Sequence, residues 1–162
     1  MSLCDRRTVL MLLPAALAGC GFQPVYGPGG TGTALRGRIR VAAPDTEDDY
    51  LLVRDLETRL GRASVPEYRL SYDIETWTQG QAVTSANETT RYSITGRANF
   101  ALTRIADEKV VASGAVQNFT SYSATGTTVE TLASERDARR RLMAILAEQI
   151  ATEILTGADL SA

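Results

Sequence analysis

Four segments of the chain alternate apolar or small residues with polar ones, and this period of two residues predicts four β-strands. The segments are residues 35–41, 68–76, 91–102 and 110–123. The third is the most regular, and Asp107-Glu108-Lys109 is expected to turn the chain from it into the fourth. These two strands should therefore form a long antiparallel hairpin. Gln79-Gly80-Gln81 is expected to break the second strand.

The segment between the first two strands has apolar residues at helical spacing. Asp45 or Thr46 provides an N-cap, and Gly61 stands where a helix commonly ends. Three acidic residues, 47–49, occupy the first turn. Their position favours stabilisation by the positive end of the helix dipole over a metal or acid–base site.

A second helix is predicted after the fourth strand and ends at Gly157. Its start is open, because Ser134 would cap it internally if residues 127–133 were irregular. Its apolar stripe comprises Ala138, Leu142, Ile145, Leu146, Ile150 and Ile154.

The order strand, helix, three strands, helix predicts an α+β fold. The simplest arrangement that buries both helical stripes is a single four-stranded sheet, mostly antiparallel or mixed, with both helices packed on one face. This domain is expected to cover residues 34–157, with residues 158–162 as a C-terminal tail.

The first twenty residues have the features of a bacterial lipoprotein signal. Arg6 and Arg7 precede an apolar run that is about half the length needed to span a bilayer. The run ends in Leu-Ala-Gly-Cys at 17–20, which resembles the lipobox. We therefore predict a signal peptide at 1–19, a diacylglycerol and an N-acyl chain on Cys20, and a tether at 20–33. The alternative is an ordinary secretory signal beside a coincidental cysteine.

The route of export and the anchor follow from the same segment. The pair Arg6-Arg7 also fits the twin-arginine route, although ordinary positive charge in the signal is the better explanation. Acyl chains on Cys20 would hold the protein at a membrane, since two or more chains together anchor firmly. No other cofactor is expected.

Composition excludes several classes of function. The formal net charge is −2, which argues against general nucleic-acid binding. The chain has no histidine, the commonest general base and metal ligand. It also lacks a nucleophile elbow, a phosphate loop and a dinucleotide fingerprint. The sequence therefore predicts a binding protein and not an enzyme.

Arginines supply the candidate binding residues. Arg91 and Arg97 lie on the polar face of the third strand, and Arg69 from the second strand could join them. They would suit a phosphorylated sugar lipid, although a solvated sheet face is the better explanation of the spacing alone. A second group, on the last helix, is interpreted as a solvated face: Arg136, Arg139, Arg140 and Arg141.

Several motifs, in order, resemble the LptE family of lipopolysaccharide-assembly lipoproteins in its alphaproteobacterial form. The first is Cys-Gly-Phe-Gln-Pro-Val-Tyr-Gly at 20–27. It is followed by 56–61, Tyr-Arg-Leu at 68–70, Arg-Tyr-Ser at 91–93, Ser-Tyr-Ser-Ala at 121–124 and the alanine- and arginine-rich helix 133–155.

The resemblance implies a sheet with two helices on the periplasmic side of the outer membrane, held there by lipid. It implies a plug in the lumen of the β-barrel LptD, which helps the barrel assemble and inserts lipopolysaccharide into the outer leaflet with it. Gly21 agrees with outer-membrane sorting. The family uses basic residues on a strand near a loop to bind lipopolysaccharide, and the resemblance implies this role for Arg91 and Arg97. The alternatives are a pilot or adaptor lipoprotein for another channel or barrel-assembly machine and, third, a lipid-anchored hydrolase.

Overall fold

The computed structural model describes residues 25–27, 30–83 and 89–160. These residues form three helices and four strands. The helices are α1 (Thr31–Leu35), α2 (Glu47–Leu60) and α3 (Thr128–Gly157), and the strands are β1 (Ile39–Val41), β2 (Tyr68–Val83), β3 (Thr89–Arg104) and β4 (Val110–Ser123).

The four strands form one sheet in the order β1-β2-β3-β4. β1 is parallel to β2, and the other neighbouring pairs are antiparallel. Helix α3 lies across β3 and β4, while α2 packs beside α3 and against β1. The predicted α+β fold is confirmed, with a mixed sheet and the short helix α1 as an addition.

The first strand is shorter than the sequence predicts. Leu35 belongs to α1, and Gly37 follows it with φ +72°, a left-handed conformation that glycine adopts without steric cost. The Gly37 N–H donates to the Leu60 carbonyl at 2.8 Å. Leu35 and Ile39 are 0% and 1% exposed, so both point into the core. That shared burial produced the strand-like alternation, although the chain turns between them.

The second strand is longer than predicted. Gly80 pairs with Tyr92, and β2 continues to Val83 through a change of register between Gly80 and Ala82. The predicted break is therefore a β-bulge within a strand. Between β3 and β4, Asp107-Glu108-Lys109 forms the predicted turn, and Glu108 has φ 56°.

Both long helices begin with reciprocal caps. Thr46 accepts a hydrogen bond from the Asp49 N–H, and the Asp49 carboxylate accepts one from the Thr46 N–H. Thr127 and Glu130 form the same capping box before α3. Residues 128–133 are therefore helical, which excludes the internal cap at Ser134. The 30-residue helix α3 is about 45 Å long.

The core lies between the sheet and the two long helices. Its fully buried side chains include Leu52, Leu56, Leu70, Ile94, Leu102, Leu142, Met143, Leu146 and Ile150. Gly96 lies directly beneath α3, where an added Cβ would approach Leu142 and Leu146 at 3.1 Å each. The absence of a side chain there lets the helix pack closely on β3.

Cys20, with the predicted signal peptide and the first part of the tether, lies outside the described residues. Within them, none of the helices is both long and apolar enough to span a membrane.

Candidate ligand-binding face

One side of the sheet, here called the open face, has no described element packed over it. Helices α2 and α3 cover the opposite side. Because side chains alternate between the two sides of a strand, the open face receives every second residue of β2, β3 and β4. Its central members are Asp73, Glu75, Trp77, Thr95, Arg97, Asn99, Gln117 and Phe119.

Arg97 lies near the middle of this face. It is exposed, and its neighbours across the sheet are Glu75 on β2 and Gln117 on β4. Within the described part of the chain its guanidinium makes no ion pair. The group is therefore presented to solvent between the Glu75 carboxylate and the Gln117 amide. A guanidinium is the group that pairs best with a phosphate or carboxylate ligand.

Arg91 is on the same face, next to Ala82 and Ser123. It is exposed, as predicted. Six residues of strand separate it from Arg97, a distance of about 20 Å. The two cations form a stripe along β3, so they would contact separate groups of one large ligand or partner.

Arg69 does not join this stripe at close range. The register places it beside Thr103, twelve residues along β3 from Arg91. There it lines a small cavity of about 270 Å³ with Arg104. Arg104 itself contacts Asp107 at 3.1 Å and the Leu160 carbonyl at 3.0 Å, and so fixes the chain after α3.

Two exposed aromatic side chains on the open face were not singled out from the sequence. Trp77 and Phe119 are 41% and 64% exposed. Both are partners of Thr95, from opposite sides, so they lie in one row across three strands. Two strand spacings separate them by about 10 Å. A sequence signal for them was available, because each is an aromatic residue at a position where the alternating pattern places polar side chains.

The arginines of α3 differ from one another, although they were predicted to form one solvated face. Arg140 and Arg141 pair with Asp137, and Arg136 is exposed. Arg139 instead bridges the helices, with contacts to Asp48 on α2 at 3.0 Å and Glu135 at 3.1 Å. Burial lowers the pKa of Arg139, but these carboxylates outweigh it and leave the pKa raised.

The described residues contain no group of three or more histidine, cysteine or acidic side chains arranged to hold a metal ion. The acidic first turn of α2 is instead engaged in helix capping and in the Asp48–Arg139 pair.

Comparison with known proteins gives a family and a fold. The LptE family, described as lipopolysaccharide-assembly, matches residues 34–154, which is more than half of the chain. No curated protein matches the chain.

Three solved structures illustrate the fold. A protein of Caulobacter crescentus CB15 has 18% identity and a TM-score of 0.66, over 80% of this chain and 96% of that one. Rare lipoprotein B from Shewanella oneidensis has 10% identity and a TM-score of 0.56, over 73% and 92%. A minor lipoprotein from Acinetobacter baumannii has 17% identity and a TM-score of 0.52, over 73% and 88%. At these identities the likeness concerns the fold alone.

Proposed function

The chain belongs to the LptE family of lipopolysaccharide-assembly lipoproteins, and from this premise we propose that it works as the lipoprotein partner of an LptD-type barrel. It sits on the periplasmic side of the outer membrane, anchored through acyl chains on Cys20. With the barrel it delivers lipopolysaccharide to the outer leaflet. Its contribution is binding and support of barrel assembly, with no bond made or broken.

The observation that carries this proposal is the family match, which extends from the end of α1 to the last turns of α3. It includes all four strands and hence the whole open face. A plug inside an outer-membrane barrel must present polar, well-ordered surfaces, because the lumen of such barrels is polar. The open face has this character, with hydroxyl, amide and charged side chains on a sheet that two helices hold rigid from the other side.

Lipopolysaccharide carries phosphate groups and sugars. The Arg91 and Arg97 guanidinium groups would pair with phosphates. Between the two, the row of Trp77, Thr95 and Phe119 offers flat apolar surface, on which sugar rings or the barrel wall would pack. Separate contacts spread over about 20 Å suit a large amphipathic ligand better than a small metabolite.

The partner is tested by gentle detergent extraction of the tagged chain from native membranes, followed by mass spectrometry of the co-purifying proteins. An LptD-type barrel is expected in near-stoichiometric amount. A Cys20→Ala variant should lose labelled palmitate and most of the barrel. Recovery of a secretion channel instead would favour the adaptor alternative, and recovery of the chain alone would contradict the proposal.

The lipid contact is tested with the double variant Arg91→Gln, Arg97→Gln. One hydrogen bond between charged groups contributes about 1.5 kcal/mol or more, so affinity for purified lipopolysaccharide should fall at least about tenfold. The charge-matched control is Arg136→Gln with Arg140→Gln, because both are exposed arginines on α3, on the other side of the sheet. Equal loss in both variants would reduce the effect to net charge and contradict a site on the open face.

A further inference from the structure

The sheet has an unfinished edge beside β1. β1 is three residues long, whereas β2 is sixteen. The two strands pair only from Tyr68 to Leu70. After Val41 the described chain makes one further backbone hydrogen bond to β2, in which the Ala42 N–H donates to the Leu70 carbonyl at 2.9 Å. The Tyr72 hydroxyl donates to the Ala43 carbonyl at 3.5 Å, and the chain then leaves for α2. Beyond Leu70 no described strand pairs with β2 on this side.

The direction of the β2 backbone groups follows from these contacts. The Tyr68 N–H donates to the Arg38 carbonyl, so Tyr68 and Leu70 both direct their backbone groups towards β1. In an antiparallel ladder alternate residues face alternate neighbours, and the β2–β3 register is unbroken up to Gly80. The next four residues that face the empty side are therefore Tyr72, Ile74, Thr76 and Thr78. They define a free edge of about 20 Å.

A cavity of about 650 Å³ adjoins this edge. Its floor is formed by Tyr72, Ile74 and Thr76 of β2. Its walls are Ala42, Ala43 and the first turn of α2, with Arg139 of α3. The side chains of an added strand would enter this space, while its backbone met the free edge.

The surroundings of the edge are acidic. Asp45, Glu47, Asp48 and Asp49 line the cavity, as does Asp73, whose side chain belongs to the open face. Arg139, the one cation among the described residues that line it, is already paired with Asp48 and Glu135. The pKa of Tyr72 is raised to about 12, first because its ring is buried and then because the carboxylates of Asp49 and Asp45 lie near it. The cavity therefore attracts cations.

We propose that the free edge of β2 is a docking site for an extended, basic segment of a partner protein, which adds a strand beside Tyr72–Thr78. The segment carries lysine or arginine at alternate positions, and these side chains reach the carboxylates around the cavity. Backbone hydrogen bonds supply the pairing and the side chains supply the selectivity, as in other cases of strand addition. A second copy of this chain is disfavoured, because two acidic edges would repel each other.

This inference is independent of the proposed function, because neither Arg91 nor Arg97 lines the site. It is tested with the full chain in detergent and a fluorescent octapeptide of alternating lysine and valine. The expected result is saturable binding that weakens in 0.5 M salt. The same peptide with glutamate in place of lysine should bind at least about tenfold more weakly, because its charges are repelled.

The pairing is tested with Thr76→Pro, which removes an N–H that faces the free edge and leaves the β2–β3 ladder intact. Binding should fall at least tenfold, whereas the matched control Thr76→Val should bind as the parent chain does. The thermal unfolding midpoint checks that both variants are folded. In the parent chain, peptide addition should slow hydrogen exchange at the backbone N–H groups of Tyr72, Ile74 and Thr76. Exchange at Asp73 and Glu75, whose backbone N–H groups point towards β3, should not change.

Two results would overturn the proposal. Salt-dependent binding without slower exchange at Tyr72, Ile74 and Thr76 would mean that the peptide is held by charge alone. A dimer that forms without peptide and is lost in Thr76→Pro would assign the edge to a second copy of the chain. Asp45→Asn with Glu47→Gln provides an independent check, since neither side chain forms the Thr46–Asp49 cap. This double variant should weaken peptide binding and leave the fold intact.

Discussion

The covered side of the sheet and the open face are built from alternate residues of the same three strands, yet they serve different purposes. On the covered side, Ile94, Ala98 and Leu102 are completely buried, and Gly96 leaves room for α3. On the open face, Arg97 and Asn99 are exposed between them. One side therefore determines stability, and the other is available for binding. Substitutions on the two sides should separate these properties.

The largest effect on stability is expected beneath α3. Leu142 is 0% exposed and contacts the sheet above Gly96. Leu142→Ala should lower the free energy of unfolding by about 2–5 kcal/mol, through lost burial and the cavity that remains. The control on the open face, Gln117→Ala, should change it by no more than about 0.5 kcal/mol. Chemical denaturation measures both, and similar values would contradict the division between the sides.

A smaller effect is expected at a buried hydroxyl. Thr120 is 9% exposed, and its hydroxyl donates to the Ala138 carbonyl of α3 at 2.9 Å. Thr120→Val removes this bond between sheet and helix and should cost about 1 kcal/mol. The next residue, Ser121, is exposed on the open face, so Ser121→Ala should be nearly neutral. A comparison of the two denaturation midpoints checks the difference between adjacent residues.

The free energy of unfolding should depend on pH in the alkaline range through Tyr72, which lies at the edge of the covered side. The pKa of Tyr72 is raised to about 12 from 10.0. Ionisation is therefore resisted in the folded state, so stability that is present below pH 10 is lost as pH rises towards 12. Partial exposure of the ring reduces the size of this loss. Tyr72→Phe should make the stability less dependent on pH in this window, as measured by denaturation at fixed pH values; an unchanged slope would contradict the assignment.

The smallest effect on stability is expected for the aromatic row of the open face. Phe119→Ser should change the free energy of unfolding by no more than about 0.5 kcal/mol, because the ring is 64% exposed. Its effect on function should nevertheless be large. In cells that depend on this variant, we expect a weaker outer-membrane barrier, measured as greater sensitivity to vancomycin at normal protein levels. Full barrier function in cells with Phe119→Ser would mean that the aromatic row takes no part in binding.

The hydrophobic pattern was sufficient for most of the fold. Alternation identified β3 and β4 and placed Arg91 and Arg97 on the exposed side, because one side of each strand is buried. It failed before Ile39. Leu35 and Ile39 are both buried, which imitates a strand pattern, but Leu35 belongs to α1 and the chain turns at Gly37 between them. It also failed at Gly80, which keeps its pairing with Tyr92, while the strand continues through a change of register between Gly80 and Ala82.

The arrangement of side chains on the open face could be seen only in the structure. A strand that slips by two residues keeps every side chain on its side of the sheet. The sequence pattern therefore could not tell that Trp77, Thr95 and Phe119 share a row, or that Arg69 lies far from Arg91. The free edge of β2 was also beyond prediction, since it depends on where β1 stops.

On the proposed function, the open face contacts the barrel and the lipid, and the side covered by the helices does not. A photo-crosslinking amino acid at Gln117 on the open face, compared with one at Thr58, an exposed position on α2, tests it in living cells. We predict a strong crosslink from Gln117 to an LptD-type barrel or to lipopolysaccharide and little product from Thr58. A strong product from Thr58 with none from Gln117 would mean that the helical side, and not the open face, contacts the barrel.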